Sequence, residues 1–223
     1  MKAGGEAMVF RRPTAAHPEL WPLIALLILA NLPLLTGRPS GALIFLPGRV
    51  AAGEWWRILT YPLAHVSWYH LILDGAAFIQ LLMSLGELGL GRRLLIILGA
   101  GAGSLLLPLA WPSPIREVGI CGLSGIDHGL MAVAGAMMLG DGERATRRQG
   151  GCLLAFVALK AIVEAATGRI LLESLHVGFL GVPVASCHLG GILGALVVLG
   201  VLAALRQRNP AAHAPALPAV SRT

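Results

Sequence analysis

A serine and a histidine lie in two glycine-rich apolar segments, and together they could form a nucleophile and its base. Ser124 belongs to the stretch GICGLSGIDHGL, and His188 belongs to SCHLGGILG. A serine hydroxyl becomes an effective nucleophile when a base lies about 2.6–3.2 Å away. Gly122, Gly125 and Gly129 predict a small-residue face beside Ser124 on a helix, which another helix could approach closely. The two segments therefore predict nucleophilic catalysis with His188 as the general base.

The composition indicates that these segments lie in a membrane. Hydrophobic residues make up 56% of the 223 residues and charged residues 13%, and the mean hydropathy is +0.77. Soluble domains usually carry about a quarter charged residues. Basic residues outnumber acidic ones by 17 to 11, but they lie between apolar stretches and form no clustered patch. We therefore predict an integral membrane protein. Its expected partner is the lipid bilayer, and no binding of nucleic acid is expected.

Six apolar stretches are candidates for transmembrane helices, which need roughly 20 mostly apolar residues. They cover residues 20–36, 65–85, 94–111, 119–139, 151–167 and 184–205. The predicted fold class is thus an all-α polytopic membrane protein with a six-helix bundle at 20–205. Residues 1–19 are predicted to be a cytoplasmic segment, and residues 206–223 a disordered cytoplasmic tail. The three cysteines have no metal-type spacing, so no metal and no cofactor are predicted.

The distribution of basic residues predicts the orientation, because cytoplasmic loops carry an excess of Lys and Arg. A cytoplasmic N-terminus places eleven basic residues inside and five outside, while Lys160 falls within a span. The even number of spans then returns the C-terminus to the cytoplasm. His65, His70, Ser124 and His188 would all lie in the outer halves of three spans, where we expect them to converge on one site.

The segment at 37–64, between the first two spans, carries residue types that favour a membrane surface. Trp55, Trp56, Arg57 and Tyr61 lie in its amphipathic stretch GEWWRILTYPL. Aromatic and basic side chains of this kind settle at the bilayer interface. We therefore expect these four side chains at the interface.

These motifs resemble the signature of the rhomboid intramembrane serine proteases. Two of the motifs contain the candidate dyad: Gly122-Leu123-Ser124-Gly125, and His188 with the Leu-Gly-Gly that follows it. The others are His65, His70 and a polar residue at 74, and the Trp-Trp-Arg stretch at 55–57. The sequence is most similar to the rhombosortase branch, whose serine motif also continues to a histidine, here His128. The stretch at 160–164 is similar to that branch as well.

The resemblance implies a role for each site residue. Ser124 would attack the scissile carbonyl as one half of a dyad, and His188 would take its proton and return it to the leaving amine. The Ser124 N–H and the His70 side chain would form the oxyanion hole. His128 replaces a tyrosine that packs on the base in most relatives. The supporting residues would be Asp74, Gly122, Leu123, Gly125 and His128.

Asp74 departs from the family pattern, which usually has an asparagine here that donates to the oxyanion. An ionised carboxylate would repel the developing charge. Asp74 could stay neutral and donate, or it could pair with His70 at i, i+4 on the same helix. We favour the pair, and a degenerate, inactive site is the remaining interpretation.

Three further ionisable residues lie within the predicted spans, where a charge needs a partner. At about 1.5 Å per residue, Asp127 and Lys160 both lie near the midplane, so an Asp127–Lys160 bridge is geometrically reasonable. Glu164 could instead pair with Lys160 along one helix. We expect a bridge that locks the fifth span, with substrate reading as the alternative. Cys121 and Cys187 lie near the dyad, where we expect packing roles, although a disulfide is conceivable.

The resemblance implies that the protein hydrolyses peptide bonds of membrane protein substrates. These would be single-span proteins with C-terminal sorting tails, composed of a Gly-Gly type motif, an apolar helix and a basic end. The expected location is a bacterial inner membrane, with the active site toward the periplasm. Two other classes remain: an inactive rhomboid-like protein that binds client helices, and an ion or proton transporter. The transporter ranks last, because no inverted repeat is visible.

Overall fold

The structure, a computed structural model, describes residues 20–171 and 176–208. The regular secondary-structure elements in these residues are all helices. In chain order they are α1 (Leu20–Ala30), α2 (Pro47–Ala51), α3 (Arg57–Thr60), α4 (Trp68–Ser84), α5 (Leu90–Ala110), α6 (Ile115–Val118), α7 (Ser124–Leu139), α8 (Arg144–Thr167) and α9 (Ser186–Arg208). Short 3-10 turns follow α1 at Leu32–Thr36 and α3 at Tyr61–Leu63. The predicted N-terminal segment 1–19 and residues 209–223 of the predicted tail lie outside the described residues.

Three of the described helices, α5, α8 and α9, are long and apolar enough to cross a membrane. A fourth span results if α3 with its 3-10 turn is joined to α4, which it meets at a bend of 97°. The helix pair at Leu20–Thr36 is apolar but shorter, and α7 has 16 residues. Each predicted span thus contains a helix, and about three to four of these helices qualify as apolar spans. The count of six crossings and the orientation of the termini stay predictions.

Helices α8 and α9 both extend beyond the apolar stretches that predicted them. Helix α8 begins at Arg144 instead of residue 151, and α9 ends at Arg208 instead of residue 205. Arg and Gln are good helix formers, so a helix can continue into a polar flank. The arginines at these ends have long stems that let the charge reach water.

The core of the bundle is a close contact of α7 and α5 with α9, made through glycines. A Cβ on Gly191 of α9 would collide with the carbonyl oxygen of Gly125 on α7, and one on Gly103 of α5 would collide with that of Gly190. Small residues at such positions let helix backbones pack against each other in membranes. The contact brings the first turn of α7 beside the first turn of α9, where Ser124 and His188 lie.

The segment at 37–64, here called the first loop, is anchored inside the protein by two side chains that were expected at the bilayer interface. Arg57 is buried, donates to the carbonyl oxygens of Gly41 and Ile44 over 2.6 Å, and pairs with Glu54 at 2.5 Å. Tyr61 is also buried, and its hydroxyl donates to Gly101 on α5. The interface prediction is therefore wrong for Arg57 and Tyr61, whose polar atoms find partners within the fold.

Trp55 and Trp56, the other two residues of that prediction, are 66% and 40% exposed. Their exposure fits an interfacial position. Charge and aromaticity alone did not distinguish these two side chains from the two buried ones, because Trp, Arg and Tyr are all common at interfaces.

Candidate active site

A short extended segment presents Ser124 as the first residue of α7. Ile120 exchanges two backbone hydrogen bonds with Phe45 of the first loop, and the Gly122 N–H donates to Tyr61. Gly122 has a φ of 97°, a conformation that favours glycine. A Cβ at Gly122 would also lie 2.7 Å from the His70 ring. The prediction that Gly122 belongs to the helical face is wrong, because the chain turns sharply there and the helix starts after it.

Ser124 and His188 lie within hydrogen-bond reach of each other. The Oγ of Ser124 is 3.2 Å from the Nε2 of His188. His188 is the third residue of α9 and is 6% exposed. This contact is the geometry that a serine nucleophile and its base require.

The other ring nitrogen of His188 contacts Glu164, a residue that the sequence did not connect with the base. Nδ1 of His188 lies 2.7 Å from Oε2 of Glu164. The second oxygen, Oε1, accepts from Lys160 Nζ at 2.7 Å and from the Leu171 N–H at 2.8 Å. The sequence indicates Glu164 only as an alternative partner of Lys160. No feature of the sequence predicts the rotation of α8 about its axis, which turns Oε2 of Glu164 toward His188.

Of the two partners considered for Lys160, Glu164 is confirmed and Asp127 is wrong. The ammonium of Lys160 contacts Glu164 and His128. Asp127 is buried, and its Oδ1 has no hydrogen-bond partner among the described residues. Equal depth in the membrane was the basis of the prediction, and it ignores the direction in which each helix faces.

His128 packs flat against the base. Its ring lies parallel to that of His188, with centroids 3.9 Å apart and planes 11° apart. Its Nε2 is 3.0 Å from Lys160 Nζ, and its Nδ1 is 2.7 Å from the carbonyl oxygen of Ser124. Because an ammonium only donates and a carbonyl only accepts, Nε2 is the acceptor and Nδ1 carries the hydrogen. The stacking expected at this position is present.

The backbone of the serine motif donates to Asp74. Its Oδ2 accepts from the N–H groups of Leu123 at 2.9 Å and Ser124 at 3.0 Å, and it lies 3.1 Å from Nε2 of His70. His65 packs edge-on to His70, with its Nε2 3.8 Å from the same oxygen. The expected contact between His70 and Asp74 is present, and the donors expected to serve an oxyanion point at a carboxylate.

The site includes three groups of the kind that bind metals. Ligand atoms of His128, Glu164 and His188 all lie within 4.8 Å of one another. The Lys160 ammonium contacts two of the three. The ammonium of Lys160 therefore already balances the negative charge of Glu164, and no metal ion is needed for that purpose.

A cavity of about 490 Å³ opens beside these residues. Its titratable lining residues are His70, Asp74, Cys121, Asp127, His128, Lys160, His176, Cys187 and His188, together with the Ser124 hydroxyl. Cys121 and Cys187 are free thiols. Part of the wall comes from the segment before α9, where Phe179 and Val182 line the cavity. The Phe179 carbonyl accepts from Ser67, the residue that caps α4. No motif had indicated this segment.

Helices with apolar surfaces, packed so that a serine and a histidine meet in a cavity, define a helical membrane protein with a serine-hydrolase-like site. The family model of the rhomboid domain matches residues 52–205, which is more than half of the chain. The chain therefore belongs to the rhomboid family, whose members are generally intramembrane serine proteases, although inactive homologues exist. Neither a curated protein nor a solved structure matches the chain.

Proposed function

We propose that this protein is an intramembrane serine endopeptidase that cleaves single-span membrane proteins with C-terminal sorting tails of the Gly-Gly type. The observation that carries the proposal is the 3.2 Å distance between Ser124 Oγ and His188 Nε2 beside a cavity. Membership of the rhomboid family supports peptide hydrolysis and membrane-embedded substrates. The choice of sorting tails rests on the rhombosortase-like motifs around Ser124 and at 160–164.

The reaction follows from the two atoms in contact. His188 Nε2 takes the proton of the Ser124 hydroxyl while Oγ attacks the scissile carbonyl carbon. The protonated ring then gives that proton to the leaving amine, which departs with the C-terminal fragment. Water, activated by the same histidine, releases the acyl group from Ser124 and restores the hydroxyl. The flat contact with His128 holds the ring plane through these transfers.

The substrate has to present extended backbone to the site. A stable transmembrane helix keeps its carbonyl groups in internal hydrogen bonds, so cleavage requires a segment that unwinds. A glycine pair at the junction between a tail and its apolar helix favours such unwinding. The cut is therefore proposed to lie near the outer end of the substrate helix.

The test is co-expression of the protein with a substrate that carries such a tail, followed by blotting for the shortened product. We expect cleavage by the wild type and by Ser84→Ala, which changes an exposed serine on α4, and none by Ser124→Ala or His188→Ala. Cleavage that survives Ser124→Ala would refute the proposed nucleophile. If the substrate stays uncut while a fluorophosphonate labels Ser124, the protease assignment holds and the sorting-tail assignment fails.

The contact between Asp74 and the serine backbone favours a second candidate, a rhomboid-like protein that binds client helices without cutting them. Asp74 Oδ2 lies where the donors of an oxyanion hole converge. A protein whose donors stay engaged in this way would accept a helix without stabilising the reaction. Failure of a fluorophosphonate to label the folded wild-type protein would favour this candidate.

A further inference from the structure

The two ring nitrogens of His188 contact different oxygen atoms on opposite sides. Nε2 faces Ser124 Oγ at 3.2 Å, and Nδ1 faces Glu164 Oε2 at 2.7 Å. A carboxylate has no hydrogen to donate. Glu164 therefore accepts the Nδ1 hydrogen, which leaves the Nε2 lone pair directed at the serine.

We propose that Glu164 is the third member of a Ser124–His188–Glu164 triad, acting as a positioning residue for the base. The inference rests on the proposed function, because it assigns a role in the same site. Glu164 would hold the histidine in the tautomer that can accept the serine proton. It would also stabilise the imidazolium that forms once the proton has moved. The rhomboid resemblance implied a Ser–His dyad without a carboxylate.

The surroundings of Glu164 hold its carboxylate in one orientation. The side chain is 0% exposed, and its Oε1 receives one hydrogen bond from Lys160 and one from the Leu171 backbone. Its helix is held near the end of α5, because the indole of Trp111, the residue that follows α5, donates to the Ala165 carbonyl at 3.0 Å. With Oε1 held by two donors, Oε2 is directed at His188. A buried ion pair serving stability alone would be satisfied by Lys160 and needs no contact with the base.

This arrangement makes Glu164→Gln a sharp test. The two donors at the Oε1 position require an acceptor, so the glutamine carbonyl oxygen takes that place. Its NH₂ group then faces His188 Nδ1 and donates to it. The ring hydrogen moves to Nε2, which can no longer accept the proton of Ser124. The substitution thus keeps the shape of the side chain and reverses the tautomer of the base.

The experiment measures covalent labelling of the purified full-length protein in detergent by a fluorophosphonate probe, over a range of probe concentrations. For Glu164→Gln we expect the maximal labelling rate to fall by about 100-fold or more, with the half-saturating probe concentration unchanged. Glu164→Asp keeps the charge at a longer distance and should label at an intermediate rate. Glu143→Gln makes the same change at an exposed residue before α8 and should label like the wild type.

The outcomes separate this inference from the proposed function. Labelling of Glu164→Gln at the wild-type rate would overturn the triad and leave the dyad protease intact. If Glu164→Gln does not fold, as judged by thermal unfolding, Glu164→Asp decides: a wild-type rate overturns the triad, and a reduced rate in a stably folded protein supports it. No labelling of the wild type would overturn the proposed function and the triad with it.

Discussion

The carboxylate of Asp74 accepts a hydrogen bond from the backbone N–H of Ser124, over 3.0 Å. The Leu123 N–H and the Nε2 of His70 point at the same oxygen. Three donors that converge on a single oxygen form the arrangement that stabilises an oxyanion. Asp74 Oδ2 therefore lies where these donors converge, and under the proposed function the side chain has to move aside before a substrate oxygen can bind there.

Replacing Asp74 by asparagine should accelerate the chemistry. A neutral amide makes weaker hydrogen bonds than a carboxylate, by about 1–1.5 kcal/mol, so the incoming oxygen displaces it more easily. We expect the maximal fluorophosphonate labelling rate to rise by about tenfold for Asp74→Asn, since about 1.4 kcal/mol corresponds to a factor of ten. An unchanged or lower rate, in a protein that stays folded, would show that Asp74 is no obstacle to the reaction.

Replacing Lys160 by methionine should destabilise the protein. Glu164 is fully buried and would lose its cationic partner, which typically costs about 3–5 kcal/mol. Thermal unfolding in detergent measures the loss. The double variant Lys160→Met/Glu164→Gln should recover part of it, because no unpaired charge remains. Strict additivity of the two single effects would contradict the ion pair as a coupled unit.

Replacing Gly191 by alanine should separate the two reacting side chains. The added Cβ would collide with the Gly125 carbonyl oxygen, so α9 has to move away from α7. We expect lower thermal stability and at least about a tenfold slower labelling, because proton transfer depends on the short contact. Gly200→Ala on the same helix is the control, since a Cβ there meets nothing within 4 Å. Equal behaviour of the two variants would refute the role of the close helix contact.

The stability of the first loop should depend on acid pH. The hydrogen bond from Arg57 holds the pKa of Glu54 below its ordinary value of 4.5. A lowered folded-state pKa adds stability above about 4.5 that is lost as the pH falls through the lower value. Glu54→Gln should therefore lower the melting temperature at pH 7, and the difference from the wild type should shrink as the pH falls below about 4.5. A difference that stays constant from pH 7 to pH 3 would contradict this ion pair.

The pairing of Ser124 with His188 could be predicted because each residue lies next to glycines in an apolar segment. Gly125 and Gly191 let α7 and α9 approach each other, so the residue types and the packing surface pointed to the same pair. The placement of Gly122 in the helix could not be corrected from sequence, because a positive φ leaves no mark in hydrophobic periodicity. Its contact with His70 depends on the three-dimensional path of two separate segments.

The partners of the buried charges could not be ranked from sequence. Depth along a helix follows from counting residues, but rotation about the helix axis depends on packing against neighbours. Asp127 and Lys160 matched in depth and face different groups, whereas Glu164 turns one oxygen to Lys160 and the other to His188. The carboxylate on the base therefore emerged from the structure alone.

Under the proposed function, the hydrogen bonds of Ser124 and His188 indicate how this scaffold would lose proteolytic activity over evolution. Among the described residues, the Ser124 hydroxyl has a single partner, the Nε2 of His188. His188 also holds Glu164 and stacks on His128. Mutational loss of the serine removes one weak contact, whereas loss of the histidine leaves a buried carboxylate without one of its donors. Descendants that no longer cleave peptide bonds are therefore expected to lose the serine first. They are expected to retain the histidine, because its contacts with Glu164 and His128 also stabilise the fold.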